Sequence, residues 1–251
     1  VLILLPPSET KADGGDGPPL DLDRLSFPEL APARKELIDE LAGLAADLPA
    51  SRAALGLSPR QDAEIERNAL LWSAPTMPAL HRYTGVLYDA LDFASMRGAA
   101  AERAAARLAV GSALFGLIRA TDPIPGYRLS ASSMLPGRGT IAAFWRPALD
   151  PILAGTTGLV VDLRSGSYTA LGRLPGALTI RVLTQRPDGT RTVVSHHNKA
   201  SKGRLARLLA GSRAEPDDVA SLLRLLRRAG LPIEHGERTN ELDLLLTGTH
   251  G

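Results

Sequence analysis

The densest run of donor side chains is VVSHHNKASKGRLARLL, Val193 to Leu209. An apolar run stops at Ser195; two histidines, an asparagine and two lysines follow, and then a basic helical pattern. A helix start carries unpaired N–H groups and a partial positive charge, so it attracts anions. Lys199, Lys202 and Arg204 fall in the first turns of that helix, where cations oppose the dipole unless an anion is near. The conflict has two resolutions. Asn198, Lys199, Lys202 and Arg204 hold a phosphate or carboxylate, or the long side chains splay into water. His196 and His197 are candidate general acids or bases. If the strand continues through them they point to opposite faces, which argues against a metal pair.

Other polar clusters also follow apolar runs. VLILL empties into PPSETK. Glu9 there is a candidate acid or base; Ser8, a possible helix cap, joins Thr10 and an exposed Lys11 as candidate ligand donors. In FGLIRATDPIPGYRLSASS, Arg119 and Asp122 read as an internal pair pinning a proline-fixed turn, and Arg128 as the better anion ligand. VDLRSGSY places Arg164, Ser165 and Tyr168 beyond a strand end, either a ligand rim or a hydroxyl-rich turn. The glycine inside RYTGVLYDAL costs a helix about 1 kcal/mol and is read as tight helix–helix packing. G-x-S-x-G, the phosphate-loop pattern and H-E-x-x-H are absent. GRGTIA lacks the preceding strand that a dinucleotide loop needs and reads as a helix entry.

These clusters need a scaffold. Val1–Leu5 reads as a buried strand, and GLVVDLRS, ALTIRVLTQ and RTVVSHH as three more, the last two a hairpin across RPDG. LDLLL reads as a final strand. Helices are expected over Pro32–Leu48, Ser58–Trp72, Leu80–Leu91, the alanine-rich Ala99–Ile118, Thr140–Leu153, Lys199–Ala210 and Pro216–Ala229. Helices come largely from the N-terminal half and strands from the second. The expected fold is α+β or mixed α/β, around a mixed sheet that includes the N-terminal strand. One domain over residues 1–251, with a helical subregion at 30–120, fits the length.

The balance of 44% hydrophobic and 22% charged residues is globular, and the net charge of +2 does not by itself announce a polyanion binder. Cysteine is absent, which removes disulfides, thiolate nucleophiles and Cys-ligated zinc and suits a cytoplasmic protein. No apolar run reaches the ~20 residues of a membrane span, and VLILL is short for a signal core. Neither cofactor nor metal is indicated.

VLILLPPSETK, YTGVLYDAL, SALFGLIRATDPIPGYRLS, FW, VDLRSGSY and VSHHNKASKGR, in this order, resemble the YaaA family of peroxide-stress proteins. The resemblance covers nearly the whole chain. It implies a cytosolic bacterial protein limiting oxidative damage, with a mixed α/β fold, a basic cleft and a helix-hairpin-helix element that binds DNA. The helices of Tyr83–Ile118 would form that element. The chain departs from the family pattern at three places. Glu9 stands where relatives carry lysine, Ser130 where they carry glutamate, and Lys202 where they carry arginine, which implies a sub-branch with the same fold and a different ligand.

Two functions follow. A stress protein would bind duplex or structured DNA through Arg128, Lys199, Lys202, Arg204 and Arg207. An enzyme would act on a small phosphorylated or nucleotide-like substrate, with Glu9 or a histidine as acid or base and Arg128, Arg164, Ser165 and Lys199 around the anion. No membrane partner is expected, and no oligomeric state is indicated.

Overall fold

The apolar pentapeptide at the chain start lies at the centre of a sheet. The structure, a computed structural model, describes residues 1–186, 189–193 and 196–247, without the side chains of 193, 196, 197 and 247. In chain order it runs β1 (Leu2–Leu5), α1 (Ala31–Leu44), α2 (Leu48–Leu55), α3 (Asp62–Ala69), β2 (Met77–Pro78), α4 (Ala79–Arg82), α5 (Val86–Leu91) and α6 (Gly98–Arg107). Next come β3 (Leu108–Ser112), β4 (Gly116–Arg119), β5 (Pro123–Ile124), α7 (Ile141–Ala154), β6 (Val160–Asp162) and α8 (Gly166–Thr169). The order closes with β7 (Leu178–Gln185), β8 (Arg191–Val193), α9 (His196–Gly211), α10 (Val219–Arg228), β9 (Ile233–His235) and β10 (Glu241–Thr247).

The main sheet is ordered β4-β3-β1-β6-β7-β10-β9, with β8 also paired to β7. Neighbours from β3 through β10 are parallel, while β4, β8 and β9 pair antiparallel. The fold is mixed α/β, and the sheet gathers strands from both halves of the chain. From β1 the chain goes to β3 on one side and later to β6 on the other. That reversal opens a crevice beyond the carboxyl ends of β1 and β6, the position where open parallel sheets bind ligands.

Burial explains the strands. Ile3, Leu4 and Leu5 are fully buried, as are Leu108, Ala109 and Val110 beside them. Both faces of the sheet are covered, so these strands are continuously apolar rather than alternating. Trp145 of α7 packs beneath the β3–β4 turn and donates from Nε1 to Ala113 O at 2.7 Å. Gly116 has φ +71° there, and a Cβ on it would lie 2.7 Å from the Trp145 ring. Buried Arg34 of α1 ties the same turn down by donating to the carbonyls of Phe115 and Leu117 at 3.0 and 2.7 Å.

Several expected elements differ. The helix expected over Ala99–Ile118 stops at Arg107, and the chain then forms β3 and β4. A fully buried apolar run has the same composition in helix and strand, and pairing with β1 decides this one. The helix expected at Pro32–Leu48 ends at Leu44, and α2 follows. Ser58–Trp72 is a 3₁₀ turn at Pro59–Gln61 leading into α3. Leu80–Leu91 breaks at Tyr83–Gly85, so the glycine of RYTGVLYDAL precedes α5 at φ +97° instead of lying inside a helix. The strand expected to run through His196 and His197 gives way to α9, which begins at His196. The β7–β8 hairpin forms as expected, although residues 187 and 188 of its turn lie outside the described residues. The Tyr83–Ile118 region holds α5, a 3₁₀ turn at Phe93–Ser95 and α6, then strands.

Candidate functional site

The crevice beyond β1 and β6 is a cavity of about 640 Å³. The loop after β1 supplies Ser8, Glu9 and Thr10, the start of α5 supplies Gly85 to Tyr88, the segment after β6 supplies Leu163, Ser165, Ser167 and Tyr168, and α9 supplies Asn198, Lys199 and Lys202. Eight polar residues singled out in the sequence thus line one cavity: Ser8, Glu9, Thr10, Ser165, Tyr168, Asn198, Lys199 and Lys202.

Two glycines make this convergence possible. A Cβ on Gly203 would lie 2.1 Å from Leu87 O, so α9 and α5 approach backbone to side chain only because position 203 is bare. A Cβ on Gly85 would lie 3.3 Å from Thr10 Oγ1 and 3.5 Å from Ser8 Oγ, so the start of α5 crowds the loop after β1. The close helix–helix glycine is therefore Gly203, whereas Gly85 serves the loop. Ser8 caps no helix; its Oγ shares a 3.2 Å hydrogen bond with Thr10 Oγ1.

The two lysines of α9 differ in setting. Lys199 is exposed. Lys202 is half-buried and donates to Leu163 O at 3.1 Å. Burial lowers its pKa, and the nearby Asp162 carboxylate only partly offsets this. Tyr168, on the facing wall, is pushed up to about 12 by burial and by Glu9, so its hydroxyl keeps its proton. Asn198 Oδ1 is buried without a hydrogen-bond partner among the described residues. Such an acceptor costs about 1–3 kcal/mol unless a donor arrives.

Glu9 and Arg128 meet across the rim, with Arg128 Nη2 2.5 Å from Glu9 Oε2. Arg128 therefore neutralises the cavity's acid before it meets any ligand. Its backbone is clamped by Asn68, which donates to Arg128 O at 2.9 Å and accepts from Arg128 N at 2.8 Å.

Lys11 is buried, against the exposed position expected for it, at 9% exposure. Its Nζ donates to Ser8 O at 2.9 Å and lies 4.1 Å from the Tyr127 ring centre. Tyr127 belongs to a hydroxyl chain the sequence did not reveal. Ser112 Oγ accepts from the N–H groups of Leu114 and Phe115, so its own proton goes to Tyr127 Oη at 2.8 Å. Tyr127 Oη in turn shares a 2.8 Å hydrogen bond with Tyr83 Oη. Burial moves Lys11 down to about 7 and raises both tyrosines.

Arg164 does not join this cavity. In an extended strand end, Leu163 and Ser165 face one way and Asp162 and Arg164 the other. Arg164 lines a separate concavity of about 450 Å³ with Arg146 and Arg173. Its guanidinium is held by Asp162 from Nε at 2.9 Å and from Nη2 at 2.8 Å. The expected Arg119–Asp122 side-chain pair is replaced by backbone capping: Asp122 Oδ2 accepts from Arg119 N at 3.0 Å, while Arg119 Nη1 donates to Ala106 O. Arg204 is exposed and does not line the cavity. Arg207 donates to Leu91 O at 2.9 Å, a bond between helices. The side chains of His196 and His197 lie outside the described residues. No helix among the described residues is long and apolar enough to cross a membrane.

A family model described as "Peroxide stress protein YaaA" matches residues 1–234. A UPF0246 protein of Corynebacterium efficiens is 49% identical over 247 residues, 96% of this chain and 98% of its own. One of Corynebacterium glutamicum is 46% identical over 245 residues with the same coverage. One of Streptomyces coelicolor is 44% identical over 260 residues, spanning all of both chains.

Proposed function

The chain belongs to the peroxide stress protein YaaA family, and from that premise we propose that it binds a small phosphorylated or nucleotide-like ligand in the cavity beyond β1 and β6, as part of a response that limits oxidative damage. The observation that carries this reading is the balance of groups on the cavity wall. Two lysines face it, and its acid, Glu9, is already paired to Arg128. Hydroxyls of Ser8, Thr10, Ser165, Ser167 and Tyr168 add donors of the kind that hold phosphate. Pro6, Pro7, Val86 and Leu87 form an apolar side, and the unpartnered Asn198 Oδ1 suits a ligand N–H or O–H. An anion joined to a flat apolar body with donors is the shape of a nucleotide. A volume of about 640 Å³ is of the size that encloses such a molecule.

DNA binding is the second reading. Lys199 and Arg204, both exposed on α9 beside the cavity, favour it, and the helix-hairpin-helix role for α5 and α6 belongs to it. Calorimetry with inorganic phosphate, a nucleoside 5′-monophosphate and a short duplex separates the two. The small-ligand reading expects saturable monophosphate binding, weakened about 10–100-fold by Lys199→Ala, the loss of a charge-assisted contact. Duplex binding alone, with an affinity that falls steeply in salt, would replace it with the polymer reading.

A further inference from the structure

We infer that Lys202 is a covalent amine: it forms an imine with an aldehyde or ketone carried by the phosphorylated ligand of the cavity, a step that rests on the anion-binding reading above. The lysines of the chain are Lys11, Lys35, Lys199 and Lys202, and their surroundings separate them. Lys11 spends its amine on Ser8 O, Glu9 O and the Tyr127 ring and does not line the cavity. Lys35 is paired with Asp39 on the surface of α1 at 2.5 Å. Lys199 is exposed at the cavity rim. Lys202 is half-buried in the cavity wall, and its polar contact among the described residues is a neutral carbonyl, Leu163 O.

An amine nucleophile must be neutral, reachable and beside a group that holds the substrate. Three features of Lys202 bear on these conditions. It makes no salt bridge among the described residues, because Asp162, the acid that acts on it, is consumed by Arg164 through Nε and Nη2. Burial lowers its pKa, so it gives up its proton more readily than an exposed lysine does. Once deprotonated, the amine can keep its N–H bond to Leu163 O and still offer a lone pair to a molecule in the cavity it lines. Lys199, three residues earlier on the same helix, lies one turn away on the same face and supplies the positive charge for a phosphate. The division of labour is one lysine charged and exposed, one desolvated and reactive.

The reaction balances without a further reagent. The Lys202 nitrogen bonds to the carbonyl carbon, and the carbonyl π pair moves to oxygen. A nitrogen proton is transferred to that oxygen, giving a carbinolamine. A second nitrogen proton and the hydroxyl then leave as water, and a C=N bond forms.

The test uses the intact protein with glycolaldehyde phosphate as probe and cyanoborohydride to reduce any imine to a stable secondary amine, each lysine being read by peptide mass spectrometry. Lys202 is expected to label at least tenfold faster than the more exposed Lys35 and Lys199. Excess inorganic phosphate should suppress this labelling. Lys199→Gln should slow labelling by glycolaldehyde phosphate more than labelling by glycolaldehyde. Labelling ordered by exposure, with Lys35 and Lys199 first, overturns the proposal. Phosphate binding by calorimetry with Lys202 unlabelled also overturns it and leaves the anion reading standing. Lys202 labelled equally by both aldehydes, with no phosphate binding, upholds the reactive amine and removes the anion reading.

Discussion

Lys11 shows how strongly surroundings rewrite a residue's behaviour. Its stem and amine are enclosed by Tyr83 and Tyr127, with Glu9, Glu64, Arg67 and Arg128 as the charged groups acting on it. A cation over a ring gains about 0.5–2 kcal/mol, whereas taking an ammonium out of water costs several. Desolvation wins, and the amine moves from 10.5 down to about 7. The unfolded chain then binds a proton that the folded chain has lost between those two values. Stability contributed by Lys11 therefore rises as pH climbs from about 7 to 10.5 and is lost as pH falls through 7. Denaturant melts of wild type and Lys11→Met across that range should show a rise in wild type that the variant lacks; parallel curves would mean that the amine stays charged in the fold. Glu9 carries a second residue-level prediction. Glu9→Gln frees Arg128 and removes the carboxylate from the cavity. Charges interacting through a mostly aqueous rim are worth ~1 kcal/mol, so phosphate affinity should rise about fivefold in calorimetry. A fall would assign Glu9 a direct contact with the ligand.

The elements that bring the site together are α5 and α9, and their contact turns on Gly203. Adding a methyl there drives it into the Leu87 carbonyl, a backbone atom that cannot swing aside. Overpacking of this kind costs about 1–3 kcal/mol, against at most ~1 kcal/mol regained from alanine's helix propensity. Gly203→Ala should lower the denaturation midpoint and weaken phosphate binding together, since Asn198, Lys199 and Lys202 ride on the displaced helix. Loss of stability with binding intact would show that α9 shifts as a rigid body without opening the cavity. At this scale the sequence was readable where polarity alternates with structure. The first strand, the β7–β8 hairpin and α7 behind Thr140, whose Oγ1 caps Ala143 N at 3.1 Å, were all legible. The parallel strand β3 was not, because LAVGS is buried on both faces and follows an alanine-rich helix with no turn signal between them. The site divided in the same way. Polar clusters after strand ends marked Ser8, Thr10, Ser165 and Lys199, but the side of the sheet on which Arg164 falls depends on a one-residue alternation that only the register settles. The Ser112–Tyr127–Tyr83 chain left no local signal, since its members are far apart in sequence and meet only through tertiary packing.

For the whole molecule, the cavity lies where the chain's distant parts converge, so a ligand there reports on all of them. The loop after β1, the start of α5, the segment after β6 and the first turns of α9 all touch it. Unfolding of any of these removes binding, so a ligand that binds only the folded chain stabilises it by mass action. At a free concentration of one hundred times Kd the gain is about 2.7 kcal/mol. A chain of 251 residues has an unfolding entropy that converts each kcal/mol into roughly 2 °C. Saturating nucleoside monophosphate should therefore raise Tm by about 5 °C in scanning calorimetry, with one transition rather than two. Lys199→Ala should need 10–100-fold more ligand for the same shift. Arg146→Ala, in the concavity across the sheet, should leave the shift unchanged. A ligand-dependent rise confined to one of two transitions would show that the sheet's two flanks unfold independently, and that the rim binds its ligand through one of them alone.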